Sequence, residues 1–234
     1  MTRIIFITLC FTLSLSPLHA QIADTATYLD SVKHELTIKW PANRLINVVF
    51  HGHSVPAGFF RTPDVHTLQA YPHLTLVALK EKYPFAVVNT IVTAIGGEQS
   101  EKGASRFEKE VMTHQPDVLF IDYALNDGGL GLERAKKAWE AMIEQALARN
   151  IKVILLTPTP NQSVDILDDT TPLAQHADQI RKLAAKYHIG LVDSYFAFQA
   201  LAKNGAAIAD FMSQVNHPNE KGHQVVTNLI MKWF

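Results

Sequence analysis

The sequence predicts an α/β fold in which a parallel sheet of about five strands lies between layers of helices. Five short apolar runs, rich in β-branched residues, lack the polar alternation of half-exposed strands, as expected for strands covered on both faces. Longer segments with apolar residues at three- and four-residue intervals separate these runs. Because strand and helix alternate throughout, we expect right-handed crossovers between parallel strands.

The predicted elements follow in chain order. Strands are predicted over residues 46–50, 86–92, 118–123, 153–157 and 191–192. Helices are predicted over residues 68–83, 101–113, 132–149 and 173–187, and a final helix over 225–234. The helix over 132–149 has a clear amphipathic pattern, since Trp139, Met142 and Ile143 share one face.

Length and charge limit the classes of function. A chain of 234 residues can bury a full core, and without internal repeats we expect a single domain over residues 21–234. The chain has 21 basic and 22 acidic residues, so it has no strong field to attract a polyanion. We therefore expect no nucleic-acid partner.

The N-terminus has the pattern of a secretory signal peptide over residues 1–20. A basic residue, Arg3, precedes an apolar segment over 4–15, and Ala20 is suited to cleavage before Gln21. The segment is shorter than the roughly 20 residues of a membrane span, so we expect no stable membrane insertion. Cys10, the only cysteine, lies within this segment. These features favour a secreted or periplasmic bacterial protein without disulfides.

Polar motifs follow the predicted strands at the edge where the chemistry of such sheets gathers. Ser54 follows the first strand, Gly97 the second and Asn126 the third, whereas His217 lies after the fifth and before the last helix. A serine hydroxyl can attack an ester when a neutral imidazole takes its proton. The resulting oxyanion needs donors that are already in place. Ser54 and His217 are therefore candidates for nucleophile and base. The backbone N–H groups of Ser54 and Gly97 and the side-chain amide of Asn126 are the candidates for the oxyanion hole.

Taken in order, these four motifs resemble those of the SGNH hydrolases, also called GDSL-type esterases and lipases. The resemblance spans residues 46–226. It implies a flavodoxin-like three-layer α/β/α sandwich and a serine esterase that acts through an acyl-enzyme, without a metal or another cofactor. Glycine at position 97 would leave room for the substrate carbonyl.

Three positions depart from the usual motifs of the family. His53 stands in place of the aspartate of Gly-Asp-Ser, and Ala124 in place of a glycine. The third departure is Gln214, three residues before His217, where the family has the acid of its triad. Such an acid holds the imidazole in the right tautomer and stabilises the imidazolium.

Three candidates remain open for the group that orients His217. Gln214 or a nearby backbone carbonyl could orient it in a Ser–His dyad. Asp210, seven residues before the histidine, could fold back towards it. Asp193, at the end of the fifth strand, is the third candidate.

Two alternatives belong to other classes of function. His51 and His53 lie at i and i+2 at a strand end, which would place both on one side as ligands of a metal-dependent hydrolase. Such a site would need a third ligand, for which His217 is the candidate. The chain could also be a non-catalytic glycan-binding protein, in which case Ser54→Ala would change nothing measurable.

Charge and the residues near Ser54 bear on the substrate class. The near-neutral charge and the lack of a long hydrophobic lid favour a short-chain carboxylic ester, with a carbohydrate acetyl ester as one form. A lysophospholipase or lipase activity is the alternative within the family. Val55, Phe59 and Phe60 could line an acyl pocket or pack beneath the serine loop. The sequence makes no prediction of oligomeric state.

Overall fold

The computed structural model describes residues 21–234, and the predicted signal peptide lies outside the described residues. A five-stranded sheet is built from β1 (Leu45–Gly52), β2 (Val87–Val92), β3 (Val118–Asp122), β4 (Lys152–Leu156) and β5 (Gly190–Val192). The strand order is β2-β1-β3-β4-β5, and every pair is parallel. The predicted α/β class and parallel sheet are therefore confirmed.

Eight α-helices surround the sheet within the described residues. They are α1 (Asp30–Thr37), α2 (Ser54–Ala57), α3 (Tyr71–Lys82), α4 (Ser100–Glu110), α5 (Leu132–Leu147), α6 (Pro172–Tyr187), α7 (Ser194–Lys203) and α8 (Glu220–Ile230). None of the helices in the described part of the chain is long and apolar enough to cross a bilayer.

The two faces of the sheet pack into separate cores. Val48 and Phe50 of β1 point into one core, where the Phe50 ring stacks on Phe120 of β3 at 4.8 Å between ring centroids. Val49 and Leu119 point into the other core. Side chains alternate along a strand, so both sides of β1 and β3 are buried. This accounts for apolar runs without polar alternation.

The strand order places a switch point between β1 and β3. From β1 the chain first moves outward to β2 and then returns across β1 to β3. Crossovers that leave in opposite directions open a crevice at the carboxyl ends of the two strands. Ser54 begins α2 directly after β1, at this crevice.

Some elements differ from those predicted. The last helix begins at Glu220 instead of residue 225, because Asn219 accepts a hydrogen bond from the Gly222 N–H and caps it. Helices α1, α2 and α7 were not predicted. A small antiparallel pair, β6 (Met212–Gln214) and β7 (His217–Pro218), immediately precedes the last helix.

Candidate active site

A sharp turn after β1 presents Ser54 at the first position of α2. Gly52 makes the turn possible, since an added Cβ there would lie 2.4 Å from the backbone oxygen of Asp122 on the paired strand. After α2, Gly58 has φ of +90° and accepts the left-handed backbone that ends the helix. The turn therefore holds Ser54 close to the end of β3.

His217 lies against Ser54, although 163 positions separate the two residues. Its Nε2 atom is 2.9 Å from Ser54 Oγ, a hydrogen-bond distance. Both residues are buried, with 6% of Ser54 and 5% of His217 exposed. The structure thus brings together the serine and histidine that the sequence singles out.

The second ring nitrogen of His217 has two polar neighbours. Nδ1 lies 2.9 Å from the Phe60 carbonyl oxygen and 2.8 Å from Nε2 of Gln214. A carbonyl oxygen only accepts, so its contact requires the proton on Nδ1 and leaves Nε2 free towards Ser54. Gln214 presents its amide nitrogen because its Oε1 accepts from the Thr62 N–H at 3.0 Å.

The two aspartates considered as acids have other contacts. No hydrogen bond or ion pair within residues 21–234 joins the Asp210 carboxylate to His217, and its backbone oxygen accepts from Asn219. Asp193 forms an ion pair with Arg181 at 2.7 Å and accepts from the Phe196 N–H, which caps α7. Neither is brought to the imidazole.

Burial lowers the pKa of His217 below the ordinary value of 6.5. The Phe60 carbonyl opposes this effect and the neighbouring His53 adds to it. His217 is therefore neutral around neutral pH, which is the state that a general base requires.

Three N–H groups are available at the predicted oxyanion hole. Neither the Ser54 nor the Gly97 backbone N–H has an acceptor among the described residues. Gly97 has φ of +75°, and an added Cβ would meet nothing within 4 Å, so the residue combines a left-handed backbone with open space. Asn126 donates one amide hydrogen to the Glu98 carbonyl at 2.9 Å and retains a second.

A buried polar network holds the loop that carries Gly97. The Glu98 carboxylate accepts from Arg106 Nε at 2.9 Å and from the Tyr123 hydroxyl at 2.7 Å. Arg106 also donates to the Thr93 carbonyl at 2.6 Å. The Glu98 backbone carbonyl also accepts a hydrogen bond from the Asn126 side chain. Glu98 therefore links the loop after β2 to the loop after β3.

The sequence did not lead us to place Tyr123 in this network. The ion pair between Glu98 and Arg106 joins the loop to α4 and is largely buried. A sequence signal was available in Gly103, inside α4, where a Cβ would lie 2.4 Å from the Tyr123 ring. Glycine inside a helix is unfavourable unless close packing requires it.

His51 and His53 face different partners. His51 Nδ1 is 2.9 Å from Thr93 Oγ1, and its Nε2 is 3.1 Å from the Tyr123 hydroxyl. His53 faces Val55 and Asp122. The described residues contain no group of three or more His, Cys, Asp or Glu side chains with the spacing of metal ligands.

The three apolar residues near the serine have different surroundings. Val55 is fully buried, and Phe60 stacks between His66 at 4.5 Å and His223 at 5.2 Å, centroid to centroid. Phe59 is half-buried, with its ring centroid 6.2 Å from that of His217. Of these three residues, only Phe59 is exposed enough to contact a substrate beside the candidate base.

One sequence family matches most of this chain. The model of the GDSL-like Lipase/Acylhydrolase family matches residues 50–225, which include the serine turn and His217. Among curated protein sequences, none matches this chain.

Solved structures with the same fold include several esterases. A two-domain esterase active on acetylated mannans superposes with a TM-score of 0.73 at 19% identity, covering 92% of this chain and 53% of its own. This chain thus spans about half of that enzyme. A catalytic mutant of Axe2, an acetylxylan esterase from Geobacillus stearothermophilus, gives 0.69 at 17%, covering 84% and 95%. The acetyl xylan esterase AlAXEase gives 0.66 at 24%, covering 80% and 98%.

Proposed function

This chain belongs to the GDSL-like Lipase/Acylhydrolase family, a family of ester-bond hydrolases, and we propose that it is a serine esterase that removes short acyl groups, above all acetyl groups from a glycan. The observation that carries the proposal is the 2.9 Å contact between Ser54 Oγ and His217 Nε2. The backbone N–H groups of Ser54 and Gly97, which have no acceptor among residues 21–234, add support. A serine, a neutral base and prepared donors are the requirements of acyl transfer.

The proposed reaction has two halves. Ser54 Oγ attacks the ester carbonyl while its proton passes to His217 Nε2. The oxyanion accepts hydrogen bonds from the N–H groups of Ser54, Gly97 and Asn126, and His217 then protonates the leaving alcohol. Water hydrolyses the acyl-enzyme by the same route, which regenerates the serine and releases the carboxylic acid.

The acid of a full triad is replaced, in this proposal, by the backbone carbonyl of Phe60. It is suited to hold the Nδ1 proton at 2.9 Å, but it adds no full negative charge to stabilise the imidazolium. We therefore propose a Ser54–His217 dyad oriented by main chain. Gln214 contacts the ring through its amide nitrogen, which is a hydrogen-bond donor and cannot accept the Nδ1 proton.

A small acyl group and a sugar alcohol are the proposed parts of the substrate. Support comes from the open space at Gly97 and from structural neighbours described as active on acetylated mannans or as acetylxylan esterases. One neighbour was co-crystallised with mannopentaose. An N-terminal signal peptide would deliver the enzyme to the periplasm or outside the cell, where such glycans occur.

The decisive experiment is labelling with a fluorophosphonate followed by peptide mapping. We expect one adduct, on Ser54, and its loss in His217→Ala. Hydrolysis of p-nitrophenyl acetate should fall at least about 1,000-fold in Ser54→Ala, since removal of a nucleophile leaves only residual catalysis. Unchanged hydrolysis in that variant would contradict the proposal.

The acyl-chain preference is tested separately. Release of acetate from acetylated xylo- and manno-oligosaccharides should exceed release from octanoate esters. Faster hydrolysis of a long-chain lysophospholipid than of p-nitrophenyl acetate would instead favour the lysophospholipase activity.

A further inference from the structure

A second buried imidazole lies against the nucleophile. Ser54 Oγ has two imidazole neighbours: His217 Nε2 at 2.9 Å and His53 Nδ1 at 3.4 Å. His53 is 1% exposed and immediately precedes Ser54 in the chain. The proposed esterase reaction makes no use of it.

The contacts of His53 determine its tautomer. Its Nδ1 accepts a hydrogen bond from the Val55 N–H at 3.2 Å, which makes His53 the N-cap of α2. An accepting nitrogen carries no proton, so the neutral ring has its proton on Nε2. Side-chain acceptors at an N-cap normally come from Ser, Thr, Asp or Asn, so a histidine there is unusual.

Asp122 faces the protonated nitrogen of His53. Its Oδ1 atom is 3.3 Å from His53 Nε2, and neither atom has a hydrogen-bond partner elsewhere in the described part of the chain. The two atoms do not form a hydrogen bond, so the attraction between them is mainly electrostatic. The other carboxylate oxygen, Oδ2, accepts from the Tyr71 hydroxyl at 2.9 Å.

A carboxylate this deeply buried requires an explanation, because Asp122 is only 2% exposed. Burying a charge is unfavourable unless polar partners compensate for the lost water. Tyr71 is such a partner, since burial and the neighbouring Asp122 raise its pKa well above the ordinary value and keep its proton in place. The second partner is His53.

We propose that His53 and Asp122 are positioning residues for Ser54. His53 fixes the turn by accepting the Val55 N–H, which an aspartate in the Gly-Asp-Ser motif could do alone, and Asp122 holds the imidazole in the accepting tautomer. The pair thus aims Oγ at His217 and leaves the Ser54 N–H free for the oxyanion. The inference rests on the proposed function, because positioning matters only if Ser54 reacts.

The pair predicts that an acid is tolerated at position 53 or at position 122, but not at both. In wild type, Asp122→Asn removes the charge that holds His53, so we expect kcat for p-nitrophenyl acetate to fall about tenfold. His53→Asp alone places two buried carboxylates together and should cost about 100-fold. Adding Asp122→Asn to His53→Asp should then raise kcat about tenfold, because the repulsion is removed.

Two further variants separate positioning from folding. His53→Asn retains an acceptor for Val55 and should keep kcat within about tenfold of wild type, whereas His53→Leu should lose about 100-fold with KM little changed. Asp117→Asn is the matched control, since Asp117 precedes the same strand and binds Arg44 and the Asn47 N–H at its opposite end. We expect it to lower the melting temperature and leave kcat unchanged.

The outcomes distinguish this inference from the proposed function. If wild type hydrolyses the ester and is labelled on Ser54, but Asp122→Asn lowers kcat equally in both backgrounds or His53→Leu stays within threefold, the positioning role is wrong and the esterase stands. If wild type is neither active nor labelled, the proposed function itself fails. We expect Asp122→Asn to lower kcat in wild type and to raise it in His53→Asp, and we expect the labelling rate of Ser54 to change in the same direction as kcat.

Discussion

At His217, the two groups beside Nδ1 stabilise opposite tautomers. The Phe60 carbonyl holds a proton on Nδ1, whereas the Gln214 amide nitrogen is a donor and favours an unprotonated Nδ1. Only the first tautomer leaves Nε2 free to accept the Ser54 proton. Gln214 is therefore expected to limit the rate, and a carboxylate in its place should raise it.

Gln214→Glu tests this expectation with the same number of side-chain atoms. One carboxylate oxygen would accept from His217 Nδ1, and the other would accept from the Thr62 N–H, as Gln214 Oε1 does in wild type. We expect kcat for p-nitrophenyl acetate at pH 8 to rise about tenfold, because the charge stabilises the imidazolium of the transition state. Gln214→Met is the control without either polar group, and a fall in kcat for Gln214→Glu would contradict the expectation.

The pH dependence of the reaction follows from the lowered pKa of His217. The base must be unprotonated, so kcat/KM should decline on acidification with a midpoint below 6.5. In Gln214→Glu the added negative charge favours the imidazolium, so the midpoint should move to higher pH. Rates measured between about pH 4.5 and 8 check both directions, and a wild-type midpoint above 6.5 would be inconsistent with a buried neutral base.

At the scale of elements, the loop after β2 is held by side chains from α4 and from the end of β3. The Tyr123 hydroxyl lies 2.7 Å from Glu98 Oε2 and 3.1 Å from His51 Nε2. The Glu98 carbonyl accepts a hydrogen bond from the Asn126 side chain. Movement of this loop would therefore displace two of the proposed oxyanion donors, Gly97 and Asn126, together. The network therefore links stability to catalysis.

Tyr123→Phe removes this hydroxyl and keeps the ring. We expect the free energy of unfolding to fall by about 1–3 kcal/mol, since buried polar partners are left unpaired, and kcat to fall several-fold. Tyr28→Phe is the matched control, because the Tyr28 hydroxyl contacts the N–H and carbonyl of Val153, each at 3.1 Å, on β4. Its stability should fall while kcat is retained; equal kcat in the two variants would show that the loop is held by other contacts.

At the scale of the whole molecule, two buried histidines make stability depend on pH. Burial lowers the pKa of His51 and of His223 to about 3. The unfolded chain binds protons at both residues below about pH 6.5, whereas the folded chain does not until about pH 3. The unfolded state therefore gains protons across this window, and stability is lost as the pH falls through it.

Urea unfolding at pH 7.5 and at pH 5.5 measures this loss. We expect the free energy of unfolding to be lower at pH 5.5, with each of the two histidines contributing at most about 1.4 kcal/mol per pH unit. His223→Gln should reduce the difference, whereas a change at the exposed His34 should leave it as in wild type. A protein that is equally stable at the two pH values would contradict the assignment of buried neutral imidazoles.

Local pattern was sufficient for most of the fold. The strands and the four long helices were predicted because their apolar spacing records which faces are covered. Helix α1 has eight residues and was missed because such a short helix has little stability apart from its packing. Helix α7 escapes prediction because Asp193, at the end of the fifth strand, fits a catalytic acid as well as the N-cap that it is.

The sequence by itself determined the alternation of strand and helix, hence the parallel sheet, and the order of Ser54, Gly97, Asn126 and His217 along the chain. These follow from short-range patterns and from motifs in single loops. Only the tertiary structure decided that the Phe60 carbonyl contacts His217 and that Asp122 contacts His53. Each of these contacts joins segments distant in the chain, and no local pattern records which side chains two neighbouring strand ends will place together.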